Sequence, residues 1–170
     1  MNKQLEHEEV NTRAQKFPVT LVCDGISSAA NTGAIFRISE AMGVRKLYFC
    51  GVIPVFNRRM QKTSRSTHEK VDFEYRESTE ALIRELKDQG FYIVALEITS
   101  NSISLRNFKL PENMPLALIL GAENHGVSEN TLRLTDRSVH IEMYGENSSM
   151  NAGVAAGIAL YEISSQLSTK

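Results

Sequence analysis

The sequence has 170 residues, of which 42% are hydrophobic and 23% are charged, values typical of one ordinary globular domain with a sizeable core. The net charge of −1 argues against a protein that binds nucleic acid over its whole surface. No apolar run approaches the roughly 18 residues needed to span a bilayer, and the two cysteines, Cys23 and Cys50, predict buried free thiols in the cytoplasm rather than a disulfide framework.

The chain opens with a polar stretch, residues 1–16, which we interpret as a tail before a single domain of residues 17–170. Predicted strands comprise residues 19–23, 46–50, 71–75, 91–96, 116–120 and 139–141. Predicted helices begin at Asn31, at Ser78, at about Ser128, and at Ser148 or Ser149, with a polar loop over 101–114. This alternation predicts an α/β domain with a mainly parallel sheet flanked by helices on both faces.

The first predicted helix presents an apolar face at 100° per residue, made of Ala34, Ile35, Ile38, Ala41 and Met42. Phe36 points nearly opposite to that face, which indicates an exposed surface for a partner at or near a subunit interface. In the C-terminal helix, Gly153 and Gly157 would let another backbone approach closely. That backbone belongs either to the protein's own sheet or to a second subunit.

The segment between Asn57 and Lys70 is basic and is predicted to be a loop. Its charged residues are Arg58, Arg59, Lys62, Arg65 and Lys70 against the single acid Glu69. One interpretation is a solvated loop. The other is a patch that contacts RNA phosphates, because clusters of arginine and lysine hold the nucleic-acid backbone.

Ligands of a parallel sheet bind beyond the carboxyl ends of its strands, where loops 24–33, 121–126 and 143–151 are expected to meet. The glycine spacing of 121–126 matches a P-loop, but Val127 stands where that loop requires lysine. There is no dinucleotide fingerprint and no nucleophile elbow. The histidines show no metal-binding spacing; they are His7, His68, His125 and His140. A backbone-lined pocket remains, which suits a nucleoside-type ligand better than a metal.

Three blocks of sequence carry a resemblance to a known family. They are residues 31–37 (NTGAIFR) with 40–44 (EAMGV), residues 120–128 (LGAENHGVS), and residues 141–145 (IEMYG) with 149–151 (SMN) and the alanine- and glycine-rich helix. From about Phe17 onward, the sequence resembles the SpoU (TrmH-like) group of the SPOUT RNA methyltransferases. Each block is a weak signal alone, but the three in this order and at these separations are specific.

The resemblance implies an S-adenosylmethionine-dependent 2′-O-methyltransferase acting on RNA ribose, with a C-terminal trefoil knot and an obligate homodimer. It implies a catalytic role for Arg37 and supporting roles for four polar residues, Asn31, Glu123, Ser149 and Asn151. The cofactor is expected to contact, mostly through main-chain groups, Leu96, Gly121, Gly126, Ile141, Met143 and Met150, and no metal is expected. Two positions depart from the family pattern: Glu142, where the family usually has proline, and Ala152-Gly153. These departures are expected to bear on affinity or substrate choice more than on activity.

The expected substrate is tRNA, with rRNA second, and the chain has essentially no room for a separate RNA-binding domain. Binding of RNA is therefore expected from Arg58, Arg59, Lys62 and Arg65. An arginine normally keeps its proton, so Arg37 is expected to anchor a phosphate and to stabilise negative charge on the attacking 2′-oxygen. The alternatives are a catalytically silent SPOUT-fold protein that binds RNA and an α/β domain that binds another nucleotide.

Overall fold

The structure, a computed structural model, describes residues 3–6, 9–10 and 14–168. The described residues of the predicted tail are exposed, and the rest of that tail, His7 included, lies outside the described residues. Among the helices that the structure describes, none combines the length and the apolar character needed to cross a membrane.

The described residues form a sheet of parallel strands with five α-helices. The strands are β1 Val19–Asp24, β2 Lys46–Cys50, β3 Phe73–Arg76, β4 Tyr92–Leu96, β5 Ile103–Ser104, β6 Leu116–Leu120 and β7 Arg137–His140. The helices are α1 Ala29–Ala41, α2 Arg58–Ser64, α3 Thr79–Asp88, α4 Glu129–Leu132 and α5 Ala152–Ser168, with 3₁₀ turns at Thr67–Glu69 and Leu105–Asn107. The strand order is β3-β2-β1-β6-β4-β7-β5, and each neighbouring pair is parallel.

Both faces of the sheet are covered by helices. On one face, Leu21 and Cys23 of β1 pack in a core with residues of α1, α2 and α5. On the other face, Val22 packs in a second core with residues of α3 and α4. Alternate side chains of a strand point to opposite faces, so continuously apolar strands are what a doubly covered sheet requires. The predicted fold class is confirmed, while the trefoil knot stays a prediction.

The predicted strands agree with the structure to within two residues at their ends. Strands β2 and β6 occupy the predicted residues, and β7 begins two residues earlier and ends at His140 rather than Ile141. The segment 101–114, predicted to be a polar loop, contains a two-residue strand that was not predicted, β5, and a 3₁₀ turn. Strand β5 pairs with β7 at the edge of the sheet.

Helix α1 begins earlier than predicted, and Phe36 is not exposed. The hydroxyl of Ser28, rather than the side chain of Asn31, caps the helix and accepts a hydrogen bond from the backbone N–H of Asn31. Phe36 is completely buried. Its ring lies 5.5 Å from that of Phe49 and 5.1 Å from that of Phe73. The predictions that Asn31 is the N-cap and that Phe36 forms an exposed partner surface are therefore wrong.

The basic segment predicted as a loop forms helix α2. This helix covers the face of α1 on which Phe36 lies, opposite to the predicted apolar face. The Asn57 side chain caps α2 by accepting a hydrogen bond from the N–H of Met60 at 3.0 Å. Gly33 of α1 allows the close approach of α2. A Cβ at Gly33 would lie only 2.6 Å from the carbonyl oxygen of Met60 and 2.8 Å from Cβ of Thr63. The burial of Phe36 follows from this packing.

The C-terminal helix α5 is capped by Asn151 and packs against α1 of the same chain. Asn151 Oδ1 accepts hydrogen bonds from the N–H groups of Gly153 and Val154, so the prediction of Ser148 or Ser149 as the cap is wrong. A Cβ at Gly153 would lie 2.9 Å from that of Ala34. The small residues of α5 thus allow α1 of the same chain to pack closely against it.

The two cysteines are buried and free, as predicted. Burial raises the pKa of Cys23, and it raises the pKa of Cys50 to about 11. Both thiols therefore stay protonated at neutral pH, and a protonated, buried thiol is inert. They act as small core residues.

Candidate functional site

A cavity of about 320 Å³ lies at the carboxyl ends of β4, β6 and β7. Its walls come from the segments that follow these strands and from the beginning of α5. The six residues predicted to contact a cofactor all line it: Leu96, Gly121, Gly126, Ile141, Met143 and Met150. Such a volume is at the lower end of the range for small-molecule sites. The second and third sequence blocks therefore contribute to the cavity, whereas no residue of the first block lines it.

The loop 121–126 forms a tight turn that only small residues permit. Ala122 and Gly126 exchange backbone hydrogen bonds, with the N–H of Gly126 donating to the carbonyl of Ala122 at 2.9 Å. A Cβ at Gly121 would overlap the backbone of Gly126 and Val127. Gly126 has a φ of +64°, a conformation that glycine adopts without steric cost. Backbone groups therefore face the cavity at close range.

Glu97 is a site residue that the sequence analysis did not identify. It directly follows β4 and lines the cavity. One carboxylate oxygen accepts a hydrogen bond from the N–H of Val127 at 2.9 Å, and the other accepts one from the N–H of Ile98 at 3.0 Å. Glu97 thus ties the end of β4 to the end of the loop 121–126. Its position at the carboxyl end of a strand was the available signal.

Glu123 and Asn31 connect the loop after β6 to the start of α1. The Asn31 side-chain amide donates to Glu123 Oε1 at 2.8 Å, and the N–H of Ser28 donates to the same oxygen at 3.2 Å. Asn151, in turn, donates from its side-chain amide to Asn31 Oδ1 at 2.8 Å. The three loops expected to meet are therefore joined by hydrogen bonds between predicted site residues.

The hydrogen bonds to Glu123 also favour the ionised form of its carboxyl group. Partial burial raises the pKa of Glu123, but hydrogen bonds from Asn31 and from the backbone N–H groups of Glu123, Ser28 and Ser27 lower it by more. The net pKa lies below its ordinary value. Glu123 is thus ionised at neutral pH, and with Glu97 it places two carboxylates at the cavity.

Arg37 and Ser149, the remaining predicted catalytic residues, are exposed. Ser149 lines the cavity, whereas Arg37 lies on α1 between Ala34 and Ile38, the residues closest to Gly153 and Gly157 of α5. Within the described ranges, no ion pair joins Arg37 to any acid.

The predicted RNA-binding residues Arg58, Arg59, Lys62 and Arg65 are all exposed. Three of them lie on α2 and Arg65 caps its C-terminus in a left-handed conformation. None of the four lines the cavity, and none forms an ion pair with a residue in the described part of the chain. They form a free basic surface on the element packed against α1.

The donor set of the cavity fits a nucleoside-type ligand with a positive charge. Backbone groups of the glycine loop and apolar side chains can hold a planar base, and the two carboxylates can accept hydrogen bonds or face a cation. Among the described residues, no group of three or more His, Cys, Asp or Glu side chains could hold a metal ion. The fold and site are those of an α/β domain whose cavity, beyond a parallel sheet, suits a nucleoside-type ligand.

Comparison with known proteins gives the family. Residues 18–161 match the SpoU rRNA Methylase family, and the chain belongs to that family. It is 30% identical over 171 residues to the tRNA (guanosine(18)-2′-O)-methyltransferase of Aquifex aeolicus (strain VF5), covering 100% of this chain and 80% of the relative. The family predicted from the three sequence blocks is thereby confirmed.

Solved structures agree with this assignment. The A. aeolicus TrmH/SpoU tRNA modifying enzyme superimposes with a TM-score of 0.83 at 29% identity, over 92% of this chain and 78% of that one. The SpoU methyltransferase AviRb from Streptomyces viridochromogenes, solved in complex with AdoMet, has a TM-score of 0.80 at 22% identity, over 97% of this chain and 66% of that one. At that identity the second similarity establishes the fold alone.

Proposed function

We propose that the protein transfers the methyl group of S-adenosylmethionine to a ribose 2′-oxygen of RNA. The observation that carries the proposal is the cavity, which is lined by residues of the second and third sequence blocks. Hydrogen bonds from Asn31 to Glu123 and from Asn151 to Asn31 join the first block to the other two. Membership of the SpoU family and a relative named as a tRNA 2′-O-methyltransferase support it.

The cavity residues would hold the cofactor, which supplies an electrophilic methyl group on a sulfonium centre. The six residues predicted to bind the cofactor, Leu96, Gly121, Gly126, Ile141, Met143 and Met150, would contact it through main-chain groups and apolar side chains. The tight loop 121–126 keeps backbone groups close, and Glu97 holds that loop against the end of β4. The chain therefore contributes mainly alignment, which is the principal need of an in-line displacement.

Arg37 would bind the RNA rather than remove its proton. An arginine keeps its proton under ordinary conditions, and its guanidinium matches the geometry of a phosphate. We infer that Arg37 anchors the phosphate beside the reacting ribose and stabilises the charge that develops on the 2′-oxygen. Ser149 lines the cavity, which Arg37 does not, and Ser149 is proposed to support this positioning.

Glu123 is proposed to organise the site and not to act as a strong base. Its lowered pKa makes the carboxylate a weak proton acceptor, and its oxygens already accept hydrogen bonds from Asn31 and Ser28. The proton of the ribose hydroxyl would then leave to water. Asn31 and Asn151 would position Glu123 and the start of α5 relative to each other.

The substrate is proposed to be tRNA, with rRNA as the second candidate. A tRNA-modifying relative covers the whole chain, and the family description refers to rRNA. The grip on RNA would come from Arg58, Arg59, Lys62 and Arg65, which are exposed and carry charges that no described acid neutralises. Counterion release from phosphates would make this binding salt-dependent.

A homodimer and a cytoplasmic location complete the proposal. Helix α5 exposes three large side chains, Val154, Ile158 and Tyr161, and contains no lysine or arginine. An apolar face without basic residues suits a second copy of the chain better than a polyanion. The buried, reduced cysteines are compatible with the cytoplasm.

Calorimetric titration with S-adenosylmethionine, NAD and ATP tests the cofactor. We expect binding of S-adenosylmethionine alone, and binding of NAD or ATP in its place would contradict the proposal. Transfer of labelled methyl from S-adenosylmethionine to total RNA then tests the reaction. Binding of the cofactor without any transfer would favour a catalytically silent RNA-binding protein instead.

A further inference from the structure

A cluster of exposed apolar side chains lies beside the basic helix α2. We call it the aromatic strip, and it consists of Ile53, Val55 and Phe56, which precede α2, and Phe73 and Tyr75 of β3. Ile53 is 67% exposed, Val55 52%, Phe56 42%, Tyr75 38% and Phe73 36%. Exposed apolar side chains grouped on neighbouring segments in this way are typical of an interaction site.

The geometry connects the strip to α2 and fixes two of its rings. Phe56 directly precedes Asn57, the N-cap of α2, and its ring lies 5.4 Å from that of Phe73. Both rings also contact the buried Phe36, at 6.0 and 5.1 Å. Tyr75 follows Phe73 by two residues on β3, so it lies on the same face of this edge strand. Phe56 and Phe73 are thus supported by the buried Phe36, and both remain partly exposed.

The charges beside the strip identify its partner class. Helix α2, which follows Phe56 closely in the sequence, carries three exposed basic residues: Arg58, Arg59 and Lys62. None of the three has an ion-pair partner in the described ranges. The exposed apolar face of α5, by contrast, has no basic residue on its helix. Stacking platforms flanked by cations are the arrangement with which proteins bind single-stranded nucleic acid. A polyanion with exposed planar groups is therefore favoured here.

We propose that the aromatic strip stacks unpaired bases of the RNA while α2 binds the adjoining phosphates. The inference rests on the proposed function, since it assumes that the protein acts on RNA, and it adds a preference for unpaired over duplex nucleotides. Stacking on an aromatic side chain typically contributes at least about five-fold in affinity per base. Salt dependence, in contrast, arises from the phosphate contacts of the cations.

Fluorescence anisotropy of the full chain with a labelled unpaired oligoribonucleotide, and with the same strand in a duplex, tests the proposal. For Tyr75→Leu we expect a loss of at least about five-fold in affinity for the unpaired strand, a smaller loss for the duplex and an unchanged salt slope. Tyr75→Phe, which keeps the ring, should bind like the wild type. Ile53→Ser, at the most exposed position of the strip, provides a second variant whose folding is not at risk.

Charge variants separate the two parts of the surface. Arg59→Gln should weaken binding to both RNAs and reduce the salt slope by about one. Arg84→Gln, at an exposed position on α3 on the opposite face of the sheet, should change neither. Matching thermal midpoints would establish that the variants are folded.

Three outcomes would overturn the inference. One is unpaired RNA binding that is unaffected by both Tyr75→Leu and Ile53→Ser. A second is an equal loss for unpaired and duplex RNA. A third is that Tyr75→Leu or Ile53→Ser sediments differently from the wild type in the absence of RNA but binds RNA with unchanged affinity. That result would make the strip a contact between copies of the chain. Failure of the wild type to bind any RNA would instead count against the proposed function, and the inference would fail with it.

Discussion

The side-chain amide nitrogen of Asn31 lies 2.8 Å from Oε1 of Glu123, although 92 residues separate the two along the chain. The same Asn31 side chain accepts a hydrogen bond from Asn151 on its other end. Because Asn31 is buried, both of these bonds are made where water cannot readily replace them. This side chain therefore holds the loop after β6 and the start of α5 in register with α1.

Asn31→Asp should damage the site while preserving the shape of the side chain. The substitution removes the donor to Glu123 and places two carboxylates against each other, which costs about 1–3 kcal/mol. We expect at least a ten-fold fall in methyl transfer and a lower urea midpoint. Asn130→Asp, at an exposed position of α4, is the matched control and should change neither. An Asn31→Asp enzyme with wild-type activity would show that this bond does not organise the site.

Glu123→Gln should change how the free energy of unfolding depends on pH below neutrality. The folded pKa of Glu123 is depressed, so its stabilising contribution is present above the ordinary pKa of a glutamate, about 4.3. That contribution is lost as the pH falls through the lower folded pKa. We expect the wild type to exceed the variant in unfolding free energy at pH 6, by a modest amount of at most about 1 kcal/mol because the carboxylate is exposed.

Urea unfolding of both proteins at a series of pH values from 6 to about 3 measures this difference. The gap between the proteins should shrink as the pH falls. A gap that stays constant over this range would mean that the charge of Glu123 does not contribute to folding.

Arg37→Lys should separate catalysis from stability. Arg37 is exposed and makes no ion pair with the described residues, so stability should stay within about 0.5 kcal/mol of the wild type. Methyl transfer should fall at least ten-fold, since lysine cannot reproduce the forked recognition of a phosphate. Arg45→Lys, also exposed, is the control. Retention of most of the rate in Arg37→Lys would mean that planar recognition is unimportant.

Gly33→Ala should weaken the contact between α1 and α2. The added methyl group would meet the carbonyl oxygen of Met60 at 2.6 Å, and a backbone atom cannot move aside without shifting α2. We expect a destabilisation of about 1–3 kcal/mol by urea unfolding. Gly145→Ala, where a Cβ would meet no atom within 4 Å, should stay within about 0.5 kcal/mol. Equal stability of the two variants would contradict the close packing of these helices.

The sequence predicted the limits of the strands more accurately than the contacts between the helices. Strand β6 is a continuous apolar run between Pro115 and Gly121, so its limits are visible from composition. Helix α1 is buried on two sides, against α5 and against α2. Because the basic segment was predicted to be a loop, nothing was expected to cover Phe36. The failure to predict helix α2 therefore explains why Phe36 was expected to be exposed.

The candidate site was predictable wherever a motif marks it. All six predicted cofactor-binding residues line one cavity, because the motifs follow strands whose carboxyl ends meet. Glu97 follows β4 without a recognisable motif and was missed. The bonds from Asn31 to Glu123 and Asn151 join residues 92 and 120 positions away. Such partners are set by tertiary packing, which periodicity along the chain does not encode.

The position of the transferred methyl group tests the central claim most directly. RNA incubated with the protein and isotopically labelled S-adenosylmethionine can be digested to nucleosides and separated by chromatography with mass detection. We predict that the label resides on the ribose, as a 2′-O-methylnucleoside, and that it is lost with Arg37→Ala. Label on a base, or methylation that survives this substitution, would contradict ribose methylation at this site.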